Sequence, residues 1–409
     1  EKSIVIFYKL RRKIVKSIVK LFHQPKFVKG YNKVDLLIYD DIFPHPISGF
    51  RYEEFKVLLR HFESARIFAE PLSYPLVNSD SSMHKTHIVE FKAKYPELKN
   101  KLVVKKTVVN INTKLFYCVF LNNIYSSLYW LEKFKISFVF TLYPGGGFEV
   151  ENEISNQKLI KVLSSPQFKK VIVTQLFTKN YLLKNKLCSE DKIEYIFGGV
   201  VPQISLEREV TRKKYYPDKE TFDIVFCAAK YMPMGIDKGY DLFIELAIRL
   251  SKVFSFLRFH VIGGFDENEI DVSLLGDKIK FYGYQKFEDL ASIYSNMDII
   301  LSPNKPFLLG KGAFDGFPLG TVIEAVFNGV VPLVTDNLNQ NTEFEDGNEI
   351  IIINNEIDLI EKKIIDLIKE PEKLVSISRK SRAKFLEIYS NNYQLKPRIK
   401  ILKEIIEKQ

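Results

Sequence analysis

Short apolar runs alternate along this chain with segments of helical periodicity, and this alternation limits the possible folds more than any other feature. The runs are mostly apolar, as in strands that are buried on both faces of a sheet. In the first half the runs are Val34–Tyr39, Ile67–Ala69, Leu115–Leu121, Ile136–Leu142, Val171–Thr174 and Ile193–Phe197. Strands that alternate with helices form βαβ units, so the pattern predicts an α/β fold with a parallel sheet.

A second alternating series follows the polar stretch 202–221, which we interpret as a connection between domains. Its predicted strands are Phe222–Ala228, Arg258–Ile262, Lys278–Tyr282, Ile299–Ser302 and Val331–Thr335, and its predicted helices are 240–253, 287–296, 321–328, 356–369 and 371–388. A chain of 409 residues is long enough for two such domains. We therefore predict an N-terminal arm over 1–33, Rossmann-like domains over 34–205 and 206–390, and a terminal segment over 391–409. A ligand cleft between the halves, at the carboxyl ends of the strands, is the expected arrangement.

Positive charge is concentrated at the N-terminus. The chain has a formal net charge of +10, and residues 1–34 contain ten basic side chains against one acid. The remainder is close to neutral, which argues against a nucleic-acid-binding body. Residues 8–23 combine apolar positions at helical spacing with lysines on another face, as in a helix that lies in an anionic membrane surface. A helix that packs on the body with its lysines in water is the alternative.

Cysteine and histidine usage gives no sign of a disulfide framework or a metal centre. Cys118, Cys188 and Cys227 are odd in number and far apart, which fits a reducing compartment. Cys118 and Cys227 lie in apolar strand-like runs, so we expect buried, inert thiols. His84 and His87 form the one close histidine pair, and we do not expect a metal there. No apolar run reaches the ~18 residues of a membrane span, and no signal peptide is evident. We expect a cytoplasmic protein, peripheral at the inner membrane face if the arm binds lipid.

The stretch Gly312–Asp336 (GAFDGFPLGTVIEAVFNGVVPLVTD) is the most informative motif. It predicts a glycine-rich loop that holds Asp315, followed by a helix with Glu324 in its first turn. A helix N-terminus offers free N–H groups to phosphate or sugar hydroxyls, and a carboxylate there can accept two vicinal hydroxyls. The sequence Thr321-Val-Ile-Glu324 also fits a capping box, in which Glu324 bonds the backbone of Thr321. Spacing alone favours this structural role.

Three further loops carry polar or glycine residues next to a predicted strand. Lys230 and Lys238 follow strand 222–228, where two lysines can neutralise a diphosphate. The first β–α loop, His45–Arg51 (HPISGFR), has a Ser-Gly pair that lets a bound group approach the backbone. Tyr143–Phe148 (YPGGGF) ends another strand, and its glycines suit either a mobile loop at the cleft or a plain turn.

Taken in order, these motifs resemble the donor domain of GT-B glycosyltransferases of the family 4 type. The resemblance covers about 222–390 and is weaker over 34–205, where the Ser48-Gly49-Phe50 loop and parts of 171–200 look similar. The motifs that carry it are Lys230…Lys238-Gly239, Val261–Gly264, Phe281–Gly283, Glu288–Leu290 with Tyr294, Asp298–Pro303, Asp315–Pro318 with Glu324-Ala325, and Gly329–Thr335. The fold that it implies has two Rossmann-like domains that face each other across a cleft, and the segment 396–408 would cross back to the N-terminal domain.

The resemblance also implies roles for individual residues. Glu324 matches the acid that holds the ribose hydroxyls of the donor, and Asp315 matches the acid that contacts the donor sugar. Lys230, which stands where the family usually has Arg, and Lys238 would offset the charge of the leaving diphosphate. Besides these four catalytic residues, the resemblance implies two groups of substrate contacts. The donor-binding group is Gly49, Gly263, Gly264, Gly283, Tyr284, Gly316, Phe317 and Pro318, and the acceptor-side group is Ser48, Arg51, Tyr143, Gly145 and Gly146.

Two departures from the family pattern stand out. Asp315 and Glu324 are nine residues apart, whereas the family usually has eight and begins with Glu. We expect the extra residue near Leu319-Gly320. The N-terminal half also lacks the family's frequent His after its middle strands, and Asn122-Asn123 and Tyr143 stand in the comparable regions.

The resemblance implies an enzyme that moves a sugar, with retention, from a nucleotide diphosphate sugar to a hydroxyl acceptor. The expected acceptor is a glycan or a lipid-linked or protein-linked group in bacterial surface glycan or glycoconjugate synthesis. We expect no metal, no cofactor and no nucleic-acid partner. Two alternatives remain open. One is an inactive GT-B module that binds nucleotide sugar or glycan, and the other is a sugar-nucleotide epimerase, for which no convincing acid–base pair is evident.

Overall fold

The computed structural model describes residues 26–77, 79–104, 108–207 and 213–409, apart from the side chains of Lys26, Val104, Phe287 and Glu288. The predicted helix over 8–23, and with it the predicted membrane-binding face, lies outside these residues. In the described ranges, no helix is long and apolar enough to span a bilayer.

The strands carry the apolar runs of the sequence. They are β1 (Lys26–Val28), β2 (Val34–Asp40), β3 (Arg66–Ala69), β4 (Leu102–Val104), β5 (Val108–Asn110), β6 (Thr113–Val119), β7 (Ser137–Leu142), β8 (Phe168–Val173), β9 (Ile193–Tyr195), β10 (Phe222–Ala228), β11 (Leu257–Gly263), β12 (Ile279–Phe281), β13 (Ile299–Ser302), β14 (Val331–Thr335) and β15 (Ile351–Ile353).

Helices separate most of these strands. They are α1 (Gly49–His61), α2 (Met83–Lys94), α3 (Leu121–Lys133), α4 (Glu153–Leu163), α5 (Leu176–Lys184), α6 (Gln203–Leu206), α7 (Tyr240–Val253), α8 (Phe287–Tyr294), α9 (Gly320–Phe327), α10 (Ile357–Lys369), α11 (Pro371–Ile388) and α12 (Asn391–Glu407). Short 3₁₀ turns occur at Tyr74–Val77, Pro96–Leu98, Glu190–Lys192, Pro233–Gly235 and Ser273–Lys278.

Two large sheets share one plan of strand order. One runs β4-β3-β2-β6-β7-β8-β9 and the other runs β12-β11-β10-β13-β14-β15, and a two-stranded ribbon pairs β1 with β5. The defined registers, such as Ile224 beside Phe259 and beside Ile299, are parallel. In each large sheet the chain starts in the middle, builds outward to one edge and then returns to build the other. This is the doubly wound order of Rossmann-like domains, so the predicted α/β class with two such sheets is confirmed.

The chain divides into two compact units. The first contains the described residues up to Phe140, together with Ser164–Lys170 and Arg398–Gln409, and the second contains Thr141–Leu163 and Val171–Pro397. The boundaries at 33, 205 and 390 that the sequence suggests stay predictions.

Strand β10 shows why the strands of the second unit are mostly apolar. Its residues Phe222, Ile224 and Phe226 pack into the core on one face of the sheet, which α7 also joins. Val225 and Cys227 pack into the core on the other face, together with α9. Because both faces are covered, polar residues cannot alternate along the strand. Cys118 and Cys227 are buried as predicted, and burial raises the pKa of both thiols.

A buried charged group fixes the end of the C-terminal helix within the first unit. Arg398 and Glu54 are both fully buried, with Arg398 Nε 3.7 Å from Glu54 Oε1. The hydroxyl of Tyr117 donates a hydrogen bond to the same carboxylate oxygen. Near the last residue of α12, Gln409 Nε2 donates to Ser137 Oγ over 3.0 Å. A buried carboxylate of this kind depends on its cation, because no water can replace it.

Replacing Arg398 with Met should lower the free energy of unfolding of the first unit by about 3–5 kcal/mol, because Glu54 is left buried without its cation. Urea unfolding followed by circular dichroism measures the change. Arg249→Met is the matched control, since Arg249 pairs with Glu245 and Asp358 at the surface and should matter little. Equal unfolding midpoints for the two variants would contradict this role of Arg398.

Candidate functional site

Topology points to one crevice in the second unit. In the six-stranded sheet, β11 and β12 follow on one side of β10, and the chain then returns to place β13 on the other side of β10. The loops after the neighbouring strands β10 and β13 therefore lead away in opposite directions. In doubly wound sheets ligands bind at this switch point, outside the carboxyl ends of the strands. The loop after β10 holds Lys230 and Lys238, and the loop after β13 holds Asp315. The candidate site is built from these two loops.

An ion pair joins the two loops. Lys238 Nζ lies 2.5 Å from Asp315 Oδ2, although the residues are 77 positions apart in sequence. The Lys238 side chain is only 6% exposed, whereas that of Asp315 is 40% exposed and can be reached by a ligand. Lys238 Nζ also lies 5.2 Å from the centre of the Tyr231 ring. The neighbouring Asp237 is buried, which raises its pKa, while the charge of Lys238 acts in the opposite direction.

Lys230 has a different carboxylate partner. Its Nζ forms an ion pair with Glu269 Oε1, and Glu269 Oε2 accepts the backbone N–H of Met234 over 3.1 Å. The two lysines that the sequence suggested for one diphosphate therefore lie in one loop but bind separate acids. Lys230 is 30% exposed in its side chain, so a ligand could still reach it.

Glycines at the ends of β11 and β12 allow close packing beside this loop. A Cβ on Gly263 would lie 1.9 Å from the carbonyl oxygen of Ala228, and its φ of +131° also excludes other residues. A Cβ on Gly264 would lie 2.8 Å from the ring of Tyr284. The Tyr284 hydroxyl accepts the backbone N–H of Lys230 over 3.4 Å. The predicted donor-binding residues Gly263, Gly264 and Tyr284 are therefore brought together with Lys230.

Two buried glutamines hold the loop that contains Gly316, Phe317 and Pro318. Gln340 Nε2 donates to the carbonyl oxygen of Asp315 over 3.3 Å, and Gln175 Nε2 donates to that of Phe317 over 3.4 Å. The sequence argument missed both glutamines. The signal available was that each lies in a polar run directly after a buried strand, β8 for Gln175 and β14 for Gln340.

A cavity opens at the carboxyl ends of β13 and β14. Its walls combine apolar side chains with carboxylates and amides, and the residues that line it include Asn304, Phe314–Leu319, Asp336, Asn337 and Gln340. Asp336 shapes the last of these loops, because its carboxylate accepts the N–H groups of Gln340 and Asn341 over 2.7 and 2.9 Å. Polar walls of this kind suit a ligand with several hydroxyl groups.

The glycine-rich segment Tyr143–Phe148 forms a hydrogen-bonded turn. The N–H of Phe148 donates to the carbonyl oxygen of Gly145 over 2.9 Å, and Gly145 and Gly146 both have positive φ. Phe148 is buried and packs edge-on against Phe314, with ring centres 5.7 Å apart. This turn lies within the second unit, beside the Asp315 loop.

Glu324 is not where the sequence argument put it. Helix α9 starts at Gly320 with Leu319 as its N-cap, so Glu324 is the fifth helical residue rather than part of the first turn. Thr321 is inside the helix, and its hydroxyl donates to the carbonyl oxygen of Cys227 over 2.9 Å. The capping-box interpretation was therefore wrong. Glu324 is 8% exposed, and its carboxylate accepts a hydrogen bond from Ser205 Oγ over 2.8 Å.

The predicted residues Ser48, Gly49 and Arg51 lie in the first unit, at the start of α1. Arg51 Nη1 lies 3.1 Å from Asp40 Oδ2 and 2.7 Å from Asp41 Oδ1. Burial alone would lower the pKa of Arg51, but the two carboxylates raise it above its ordinary value. Burial raises the pKa of Asp40 to about 6. The guanidinium is thus engaged by two acids at the end of β2, a pair that the sequence argument did not single out.

His84 and His87 each lie within hydrogen-bond distance of an oxygen atom of the protein. His84 Nε2 lies 3.0 Å from the carbonyl oxygen of Phe43, and His87 Nδ1 lies 2.9 Å from the hydroxyl of Tyr74. In the part of the chain that the structure describes, no three His, Cys, Asp or Glu side chains are grouped so that they could hold a metal ion.

Comparison with known proteins finds a family model that matches part of the second half of the sequence. Residues 209–384 match the family model described as glycosyl transferases group 1. No curated protein matches the chain by sequence.

Solved structures match almost the whole chain. A glycosyltransferase from Rickettsia africae ESF-5 aligns with a TM-score of 0.61 at 18% identity, covering 93% of this chain and 100% of that one. A sucrose-phosphate synthase from Thermosynechococcus elongatus gives 0.62 at 13% identity, covering 92% and 100%. HepE from Anabaena, in complex with UDP and glucose, gives 0.61 at 13% identity, covering 92% and 99%. At these identities the likeness shows the fold, which is GT-B as the sequence motifs implied.

Gly263→Ala should destabilise the protein far more than Gly283→Ala. Both glycines have positive φ, and the N–H of Gly263 donates to the carbonyl oxygen of Gly283. A Cβ on Gly283 meets no atom within 4 Å in the described structure, whereas one on Gly263 collides with the backbone of Ala228. We expect a cost of about 1–2 kcal/mol at Gly283 from backbone strain and more than about 3 kcal/mol at Gly263. Thermal unfolding of both variants measures this, and similar losses would contradict the close approach.

Proposed function

Since residues 209–384 belong to the group 1 glycosyl transferases, we propose that this protein transfers a sugar from a nucleotide diphosphate sugar to a hydroxyl group of an acceptor. The ion pair between Lys238 and Asp315 is the observation that best supports this reaction. It puts a cation and an accessible carboxylate side by side at the switch point of the sheet. A nucleotide sugar presents the matching groups, a diphosphate and a ring of hydroxyls, next to each other.

Breaking the bond between sugar and diphosphate leaves negative charge on the departing phosphate. Lys238 is nearly buried, so its charge is weakly screened and acts strongly on a phosphate held at the crevice. Asp315 fixes the ammonium group before the ligand arrives, which removes the need to reorganise it during the reaction. Lys230 is the second cation of the same loop and would reach the diphosphate after leaving Glu269.

Asp315 and Glu324 would bind the two sugars of the donor. The Asp315 carboxylate is exposed enough to accept hydroxyl groups of the transferred sugar while Oδ2 stays on Lys238. Glu324, held by Ser205, would accept the ribose hydroxyls. Both assignments rest on the resemblance of Asp315–Pro318 and Glu324-Ala325 to the family motif.

We further propose that transfer retains the anomeric configuration and needs no metal ion or cofactor. The support for retention is the resemblance to family 4 enzymes. The support for metal-free chemistry is that Lys238 and the loop N–H groups can offset the charge of a diphosphate. UDP-hexoses are the first donors to try, because the HepE structure holds UDP and glucose. For the acceptor we propose a glycan or a lipid-linked or protein-linked group of bacterial surface synthesis, reached at the cytoplasmic membrane face if the basic arm binds lipid.

Product analysis tests the proposal. The full chain is incubated with UDP, GDP, CDP, dTDP or ADP sugars, with and without EDTA, and products are followed by phosphorus NMR and anomeric proton NMR. The proposal is supported if one nucleoside diphosphate is released and the release is insensitive to EDTA. The sugar must also be transferred, to water or to an added acceptor, in its original anomeric configuration. Binding without release would indicate an inactive binding module. Interconversion of the nucleotide sugar without release would indicate an epimerase.

Glu324→Gln should weaken binding of the nucleotide sugar by about 10- to 100-fold, because a ribose hydroxyl bonds a carboxylate more strongly than an amide. The fold should survive, since the amide oxygen of Gln can still accept the hydrogen bond from Ser205. Isothermal titration measures the affinity, and thermal unfolding checks the fold. Ser205→Ala is the control, because it changes the environment of Glu324 but keeps its charge. Unchanged affinity in Glu324→Gln would return Glu324 to a structural role.

A further inference from the structure

Gln340, which lines the cavity beside Asp315, has a side-chain oxygen without a hydrogen-bond partner among the described residues. The residue is 5% exposed and lines the cavity with Asp315 and Asp336. Its Oε1 atom is buried and has no hydrogen-bond partner among the described residues. A buried polar atom without a partner costs free energy unless a ligand or water completes it.

The orientation of this amide follows from its surroundings. Nε2 donates to the carbonyl oxygen of Asp315 over 3.3 Å. Turning the amide over would face Oε1 to that carbonyl, and two acceptors repel each other. The backbone of Gln340 is also fixed, because its N–H donates to Asp336 Oδ1 over 2.7 Å. Oε1 is therefore held as a buried acceptor in a residue that lines the cavity.

The chemistry of the cavity selects the ligand. Gln340 Oε1 only accepts hydrogen bonds, and so does an ionised carboxylate such as that of Asp315, which lines the same cavity and is 40% exposed. Two neighbouring acceptors suit a ligand with hydroxyl donors. A sugar carries several such donors on one ring. If the diphosphate of the proposed donor binds Lys238, its sugar would lie next to Asp315 and Gln340.

We propose that Gln340 Oε1 accepts a hydrogen bond from one hydroxyl group of the transferred sugar, so that Gln340 determines which sugars the donor site takes. This inference rests on the proposed function, since it concerns the sugar half of the same donor. A site that bonds a hydroxyl discriminates against the analogue that lacks it, because the acceptor is then left unpaired.

Gln175 provides a matched control. It is likewise buried, its Nε2 donates to the carbonyl oxygen of Phe317 in the same loop over 3.4 Å, and its Oε1 also lacks a partner among the described residues. Unlike Gln340, Gln175 is not among the residues that line the cavity. Loss of loop support should therefore affect both residues, and loss of a sugar contact should affect Gln340 alone.

The experiment compares Gln340→Met and Gln175→Met with the unmodified full chain by isothermal titration. The probes are UDP and UDP-glucose, or the nucleoside diphosphate and nucleotide sugar that product analysis identifies. Gln340→Met should weaken binding of the nucleotide sugar about tenfold and leave that of the nucleoside diphosphate within about twofold. Gln175→Met should change both affinities by the same factor. Gln340→Asn, which shortens the side chain, should repeat the result if the Met variant unfolds.

Monodeoxy analogues of the nucleotide sugar identify the hydroxyl. One analogue should bind the unmodified chain about tenfold more weakly than the parent sugar, and the Gln340 variants should not distinguish the two. Equal effects of Gln340→Met on nucleotide and nucleotide sugar would overturn the proposal and leave loop support, and no effect on either would mean that water completes Oε1. Failure of the unmodified chain to bind any nucleotide sugar would instead overturn the proposed function itself, and this inference with it.

Discussion

The ion pair between Lys238 and Asp315 is the contact on which the candidate site depends. It lies at the switch point of the six-stranded sheet, between the loops that follow β10 and β13. Parallel strands bring their carboxyl ends to one edge, so loops that are 77 residues apart in the chain meet there. Without the cation of Lys238, the negative charge of the Asp315 carboxylate would repel the diphosphate of the proposed donor. With Lys238 in place, one small region can receive both the phosphates and the hydroxyls of a single ligand.

Close backbone packing supports this pair. Gly239, next to Lys238, has a φ of +74°, and a Cβ there would lie 2.3 Å from the carbonyl oxygen of Pro303, in the loop after β13. Gly312 approaches Val150 in the same way, and the N–H of Val150 donates to its carbonyl oxygen over 2.9 Å. Gln175 and Gln340 then fix the Asp315–Phe317 backbone from two sides. The loops are thus held by backbone contacts, and the Asp315 side chain, paired with Lys238 through Oδ2, stays exposed enough to meet a ligand.

Sequence reasoning reached the fold because strand and helix signals are local. Helices over 240–253 and 371–388 begin and end as predicted, since apolar periodicity defines their faces. Helix α9 begins at Gly320 with Leu319 as its N-cap, two residues before the predicted cap at Thr321, so there is no capping box and Glu324 lies beyond the first turn. The final helix starts at Asn391 rather than at 396 and continues through Pro397. Two partners of the site residues are distant in sequence, Glu269 for Lys230 and Ser205 for Glu324. Nothing in local spacing indicates such pairings.

The measurement that tests the account most directly is the binding of a nucleoside diphosphate and of its nucleotide sugar to the unmodified chain, Lys238→Met and Asp315→Asn, by isothermal titration. If Lys238 holds the phosphates and Asp315 the sugar, Lys238→Met weakens both ligands. Asp315→Asn weakens the nucleotide sugar but leaves the nucleoside diphosphate unchanged or tighter, because Lys238 loses its competing acid. Unchanged binding of the nucleoside diphosphate in Lys238→Met, or equal weakening of both ligands in Asp315→Asn, would contradict the assignment of the pair to the two halves of one donor.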